Sequence, residues 1–343
     1  RLALSDIPSA GAAPYHLIGT TVNLTTSRDP NLRGRDGDFF VISKHHSGSP
    51  VCGYVDTRTL EAMEPHLDLG TAMAISGAAA SSNMGWKTLH SFRFLMTLTN
   101  LRLGYWLRNP LRSTRPKPFD SPGPWYLFKE MFGLMSEEAN FLNLSDGGHL
   151  ENLAVYELLR RRCKFIVCVD SGDEKGMECT DLMRLQRYAE IDLGVKMTVD
   201  RSGFDLMPSG LVRSHAILVK VDYDPEKTTA AIAAGRVDEA PLGWILYFKL
   251  GLNGTEPEYI RDYKRVETSF PHQSTADQIY DEAQFEAYRG LGECAMEGAL
   301  SEELLKSLDA SGPSTHARHP LTLERWFTAL ASNLLPDDDP VFR

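Results

Sequence analysis

The sequence predicts an α/β protein with a mainly parallel central sheet and a group of C-terminal helices. Three observations predict it. Residues 141–169 read as strand, helix, strand, and such a unit forms a right-handed crossover between parallel strands. Runs rich in β-branched and aromatic residues, at 15–24 and 38–43, alternate with segments of helical spacing. From residue 274 onward the composition is helical.

In chain order, 15–24 (YHLIGTTVNL) and 38–43 (DFFVIS) are strands. His45-His46-Ser47-Gly48-Ser49-Pro50 has turn chemistry. Residues 57–65 form a short helix. Leu69 to Ile75 leads into the small-residue run Ser76-Gly77-Ala78-Ala79-Ala80-Ser81-Ser82, which can lie close to another backbone. Leu89 to Leu101 has helical spacing, 108–124 carries five prolines and reads as an exposed loop, and Trp125 to Phe132 is a short helix. Phe141 to Leu144 is a strand. Residues 151–162 (ENLAVYELLRRR) are a helix with Glu151 near its start and three arginines at its end, matching the helix dipole. Lys164 to Val169 is a buried strand by its near-continuous apolar run, and a helix covers about 179–190. Ala216 to Val221 and Trp244 to Leu250 are strands that can pair, with an Ala-rich stretch, helical or mobile, at 224–240. Helices at 274–297, 302–309 and 321–334 complete one α/β domain with a helical extension.

Composition bounds the function. The 343 residues are 24% charged and 42% hydrophobic, which is ordinary for a globular protein and excludes a disordered or collagen-like chain. The formal net charge is −10, a poor balance for general nucleic-acid binding. No apolar run reaches the ~18 residues of a membrane span, and no secretory pattern is present. The five cysteines include no C-x-x-C; Cys168, inside its apolar run, reads as a buried free thiol, and the usage suits a reducing compartment. His45-His46 has no third ligand at metal spacing. G-x-S-x-G, H-E-x-x-H, a Walker A loop and G-x-G-x-x-G are all missing.

The segment that carries chemistry is Ser145-Asp146-Gly147-Gly148-His149-Leu150-Glu151-Asn152. It places a carboxylate at the carboxyl end of a strand, followed by two glycines, where α/β proteins build sites. The glycines admit a close backbone approach. On D-G-G alone, a capped strand-to-helix turn explains the same residues. His149 can bind a polar head group or be a structural histidine, and Asn152 can bond backbone in the same turn. Asp170 and Asp173, after the next strand, read as cleft or cation-binding carboxylates or as solvated turn residues.

The run LSDGGHLENLAVYELLRRRCKFIVCVDSGD resembles the Asp-bearing motif of the patatin-like phospholipases, relatives of the cytosolic phospholipases. LGTAMAISGAAASSNMG resembles the segment preceding the Asp loop in that family. YHLIGTTVNL, GYWLRNP and FPHQSTADQIYDEAQFEAYRGLG are similar to a bacterial branch of it, so the resemblance runs from about residue 14 to 295. It implies a patatin-like three-layer fold over 1–300, a helical extension over 301–343, and an acyl-ester lipase or phospholipase with a Ser/Asp dyad. Such a dyad requires no metal or organic cofactor. Only Asp146 carries over as a catalytic residue, with Gly147 and Gly148 shaping its loop and Ser76 to Ser82, including Gly77, forming a cleft wall.

The departure from the family pattern is at the N-terminus. The serine elbow and oxyanion glycines belong before YHLIGTTVNL, and the 14 residues there hold neither. The expectation is a chain lacking its nucleophile segment, one that could also hold a membrane anchor; a complete protein with a lost nucleophile is the alternative, and Ser76 as substitute a lesser one. The rivals are a catalytically inactive lipid- or protein-binding module with the same fold, and a different hydrolase, metal-assisted or not, using Asp146, His149 and Asp170. Partners expected are a lipid or acyl-ester substrate and an anionic membrane surface. Residues 86–130 hold eight Lys or Arg against two acidic residues, a local balance of +6 that leaves −16 for the rest, together with three of the five tryptophans. Basic residues interleaved with large aromatics suit an anionic lipid interface, and snorkelling arginines on a core helix suit the same pattern. The expected location is cytoplasmic, or peripheral on the cytoplasmic membrane face.

Overall fold

The structure is a computed structural model and describes residues 1–8, 13–32, 34–80, 103–112, 122–236, 239–274, 277, 279–299, 324, 326, 327 and 330. The helices expected at 89–101 and 302–309, much of the basic stretch 86–130, and most of 321–334 lie outside these residues. The chain is mixed α/β and divides into two compact units, Arg1–Ala154 and Val155–Arg343.

The first unit is built on a six-stranded sheet. Its strands are β1 (Leu17–Asn23), β2 (Gly37–Ser43), β3 (His46–Ser49), β4 (Gly53–Asp56), β5 (Tyr105–Arg108) and β6 (Phe141–Asp146), in the order β4-β3-β2-β1-β6-β5. Every neighbouring pair is antiparallel. Alternation along the strands turns Ile18 and Val22, Phe40 and Ile42, and Leu142 and Leu144 to one face. There they join Leu60 of α1 (Thr57–Met63) and Ala72 and Ile75 of α2 (Leu69–Ser76) in one buried cluster. Both helices are capped from sequence: Asp56 accepts from the Thr59 amide at 3.1 Å and Asp68 from that of Thr71 at 2.8 Å, each worth about 1 kcal/mol. Helix α3 (Pro124–Phe132) begins on proline and ends at Gly133, whose φ of 63° stops it.

The second unit carries a four-stranded sheet in the order β7-β10-β9-β8, from β7 (Phe165–Asp170), β8 (Lys196–Thr198), β9 (Ala216–Asp222) and β10 (Leu242–Lys249). Only β7 and β10 run parallel, from Phe165↔Trp244 to Asp170↔Lys249; β9 pairs antiparallel with β10, as its sequence allowed, and with β8. Its helices are α4 (Tyr156–Arg160), α5 (Thr180–Leu193), α6 (Pro225–Ala233), α7 (Glu258–Val266) and α8 (Glu282–Ala299). Leu218, Leu246 and Phe248 pack with Ala295, Ala299, Phe327 and Leu330, and a second cluster joins Ile260, Phe270 and Leu291. Cys168 is buried within β7, as its apolar run indicates.

Four expectations are corrected. The central sheet is not mainly parallel: strand β6 has β1 on one edge and β5 on the other, both antiparallel, so neither edge is open to β7, which joins a different sheet. The helix predicted over 151–162 shrinks to α4. The Glu151 carboxylate accepts from the amide of Leu153, and Ala154 stands at φ 54°; a side chain bonding nearby backbone and a left-handed residue both work against a helix start. The segment read as a turn at 45–50 contains β3. Gly48 passes so close to β4 that a Cβ there would lie 2.1 Å from the Gly53 carbonyl oxygen. Helix α7 occupies a stretch the sequence reading left without an element. Among the described residues, no helix is long and apolar enough to cross a membrane.

Candidate active site: the Asp146 loop

Strand β6 delivers Asp146 to the end of the sheet beside β1, where it registers with Thr20. Its face is that of Leu142 and Leu144, the face against which α2 packs. A 3-10 turn, Gly147–His149, follows immediately. The Gly148 amide donates to Asp146 Oδ1 at 2.7 Å. The carboxylate is partly buried, and among the described residues no partner bonds Oδ2. One oxygen therefore fixes the side chain, while the other makes no bond among the described residues.

The two glycines are required for different reasons. A Cβ on Gly147 would lie 2.8 Å from the carbonyl oxygen of Gly19, a contact with backbone; one on Gly148 would lie 2.0 Å from Asn152 Oδ1, the end of an exposed side chain. Thr21 Oγ1 donates to the Gly147 carbonyl at 3.4 Å, tying the turn to β1. Ser76, at the end of α2, donates its hydroxyl to the Gly19 carbonyl at 2.7 Å, and Gly77 caps that helix. Ser76 and Gly147 thus meet at one backbone group, and the hydroxyl proton of Ser76 goes to Gly19 rather than to Asp146.

Behind the loop lies a buried polar chain that sequence reasoning missed. His149 Nε2 lies 3.0 Å from the Ala79 carbonyl oxygen and Nδ1 lies 2.8 Å from Ser145 Oγ. A carbonyl can only accept, so Nε2 carries the proton and Nδ1 accepts from the Ser145 hydroxyl. Ser145 in turn accepts from Asn23 Nδ2 at 2.9 Å, which also reaches Asn143 Oδ1 at 2.9 Å. His149 and Ser145 are both buried. The arrangement favours the structural role for His149: it pins Ala79, three residues beyond α2, to the Asp146 turn. The polar alternation at Thr21, Asn23, Asn143 and Ser145, which puts four polar side chains on one face of β1 and β6, is the signal that could have shown it.

Asp170 is not a solvated turn residue. It is buried at the end of β7, where it accepts from Lys249 Nζ at 2.9 Å, from the Gly172 amide at 2.8 Å and from the Tyr247 hydroxyl. Lys249 also bonds Glu174 at 3.0 Å. Burial works against the lysine's charge, but Asp170 and Glu174 outweigh it and hold its pKa above the ordinary value. Asp173, in contrast, is exposed. Among the described residues no group of His, Cys, Asp and Glu side chains could hold a metal ion. On α3, Trp125, Phe128 and Phe132 are 64%, 51% and 57% exposed.

No family model matches the sequence. No curated protein matches it either. A comparison of structures finds human GIVD cytosolic phospholipase A2 with a TM-score of 0.47 and 14% sequence identity, over 96% of this chain and 46% of that one. The chain thus spans about half the length of that protein. A likeness at this level decides neither the family nor the activity of the chain, and the site is argued from its own residues.

Proposed function

We propose that the chain is an acyl-ester hydrolase acting on lipid, with Asp146 as the general base of a Ser/Asp dyad. The observation that carries this reading is the disposition of the carboxylate. It stands at a strand end, held through Oδ1 by the turn it begins, with Oδ2 unbonded among the described residues. A base of this kind needs a serine hydroxyl within about 3 Å of its oxygen. The serines of the site, Ser76 and Ser145, spend their hydroxyl protons on Gly19 and His149, so neither is assigned as nucleophile. The lipid class of the substrate rests on the resemblance of the motifs around Asp146. The exposed Trp125, Phe128 and Phe132 support a membrane surface as partner, and the eight Lys and Arg of residues 86–130 suit an anionic one; a peripheral position on the cytoplasmic face is part of the same proposal.

A purely structural turn is the competing reading, and the Gly148-to-Asp146 bond favours it, because that bond caps the 3-10 turn. Substituting Asp146→Asn in the natural protein separates the two. The amide keeps an oxygen to accept from Gly148 but cannot take a proton from serine. Loss of ester turnover with an intact fold supports the base; unchanged turnover removes Asp146 from the mechanism.

A further inference from the structure

The second unit contains a cleft of about 220 Å³ that the hydrolase reading does not use. Loops following both parallel strands line it: Lys175 and Met177 come after β7, and Leu252 after β10. The crevice outside the carboxyl ends of parallel strands is where open α/β sheets bind ligands, and β7 and β10 are the parallel pair of this sheet. Lys264, near the end of α7, and His272 add to its polar lining, and Met177, Val212 and Leu252 to its apolar lining.

Two lysines, Lys175 and Lys264, line this cleft. Lys264 Nζ donates to the carbonyls of Thr268, at 2.7 Å, and Phe270, which leaves one of its three N–H groups. Among the described residues neither Lys175 nor Lys264 is paired with a carboxylate. Of the acids at the β7 end, Asp170 and Glu174 bond Lys249, and Asp173, whose charge acts on His272, is exposed to solvent. Burial, and then the charge of Lys175, hold the Lys264 pKa below the ordinary lysine value, so the two ammonium groups feel each other. His272 is held below its ordinary pKa by burial and then by Lys249; its Nδ1 accepts from the Glu174 amide at 3.4 Å. Two ammonium groups lining one cleft repel each other, and an anion between them offsets that repulsion.

We infer that this cleft binds a small organic anion, a carboxylate or phosphate head between Lys175 and Lys264 with a short apolar body against Met177, Val212 and Leu252. The volume is below the roughly 300–1,000 Å³ of pockets for drug-sized ligands, so the occupant is a small acid rather than a lipid chain. All its lining residues belong to the second unit.

Calorimetric titration of the full chain with phenyl phosphate, benzoate and benzyl alcohol tests it. At least one of the two anions binds saturably, the tighter one identifying the head group, and the neutral alcohol binds at least about tenfold more weakly. Lys175 is exposed, so Lys175→Glu leaves the melting temperature unchanged and weakens the anion by about fivefold or more; Lys264→Arg, which keeps the charge and the carbonyl bonds, retains binding. Absence of saturable binding by both anions, equal binding of the alcohol, or a smaller effect of Lys175→Glu overturns the inference.

Discussion

Gly147 rests against the backbone of Gly19, so closely that a Cβ at residue 147 would stand 2.8 Å from the Gly19 carbonyl oxygen. That same oxygen accepts from Ser76 at 2.7 Å. Three segments of the first unit, β1, the end of α2 and the Asp146 turn, therefore converge on one peptide group. The position of the carboxylate depends on that convergence.

A methyl group at 147 has to push backbone, whereas one at 148 meets side-chain atoms, Asn152 Oδ1 and Asp146 Oδ1. Gly147→Ala therefore lowers stability by about 1–3 kcal/mol, and Gly148→Ala by less. Urea unfolding of the two variants checks the order; equal stabilities would mean that the backbone contact does not constrain the turn.

His149 bridges Ser145 and the Ala79 carbonyl inside the unit. His149→Ala leaves buried polar groups without partners and opens a cavity, so a loss of about 2–4 kcal/mol follows. A loss below about 1 kcal/mol in the same unfolding assay would contradict a pinning role.

The first unit also has a titrating group in its core. Burial pushes the Asp38 carboxyl up to about 6, against the lowering effect of Ser49, the backbone at Phe39 and Val51, and Arg35. The unfolded chain binds its proton less tightly, with the ordinary value of 3.8. The stability contributed by the protonated form is thus fully present below about pH 4 and is lost as pH rises through about 6, by an amount on the order of 3 kcal/mol. Asp38→Asn flattens the stability profile over that window, read from urea midpoints at successive pH values; identical slopes in both proteins would rule the assignment out.

Much of the local structure was legible in the sequence. β1 and β2 follow from their β-branched runs, and the strand end at Asp146 from the Ser-Asp-Gly-Gly turn. Pairing was not legible, because an apolar run such as 164–169 states that a strand is present but not which strands flank it; nor is that strand buried on both faces, since Val167 and Val169 are exposed. The parallel crossover failed on that point: β6 is saturated by β1 and β5. The helix after Asp146 failed because ENLAVYELLRRR has helical composition while Glu151 and Ala154 act locally against it. Asp146, Gly147 and Ser76 come together beside the Gly19–Thr20 backbone; the Asn23–Ser145–His149 chain behind them joins residues more than 120 apart, which no spacing rule reveals.

On α3, Trp125 and Phe128 have ring centroids 6.3 Å apart, as do Phe128 and Phe132, and all three are exposed. The membrane reading predicts that the protein floats with vesicles rich in phosphatidylglycerol at low salt, and that replacing the three aromatics by alanine abolishes flotation. Failure of the unmodified protein to float removes the membrane from the account.

The most direct test is the steady-state hydrolysis of 4-nitrophenyl butyrate and of a phospholipid by the natural protein and its Asp146→Asn variant, with thermal melts alongside. The predicted result is ester turnover by the natural protein and a fall in kcat of about 10²–10⁴-fold or more in the variant, the range a general base supplies, with the melting temperature preserved. Turnover by the variant at the natural rate, or no turnover of either ester by the natural protein, would contradict the assignment of Asp146 as the base of a lipid esterase.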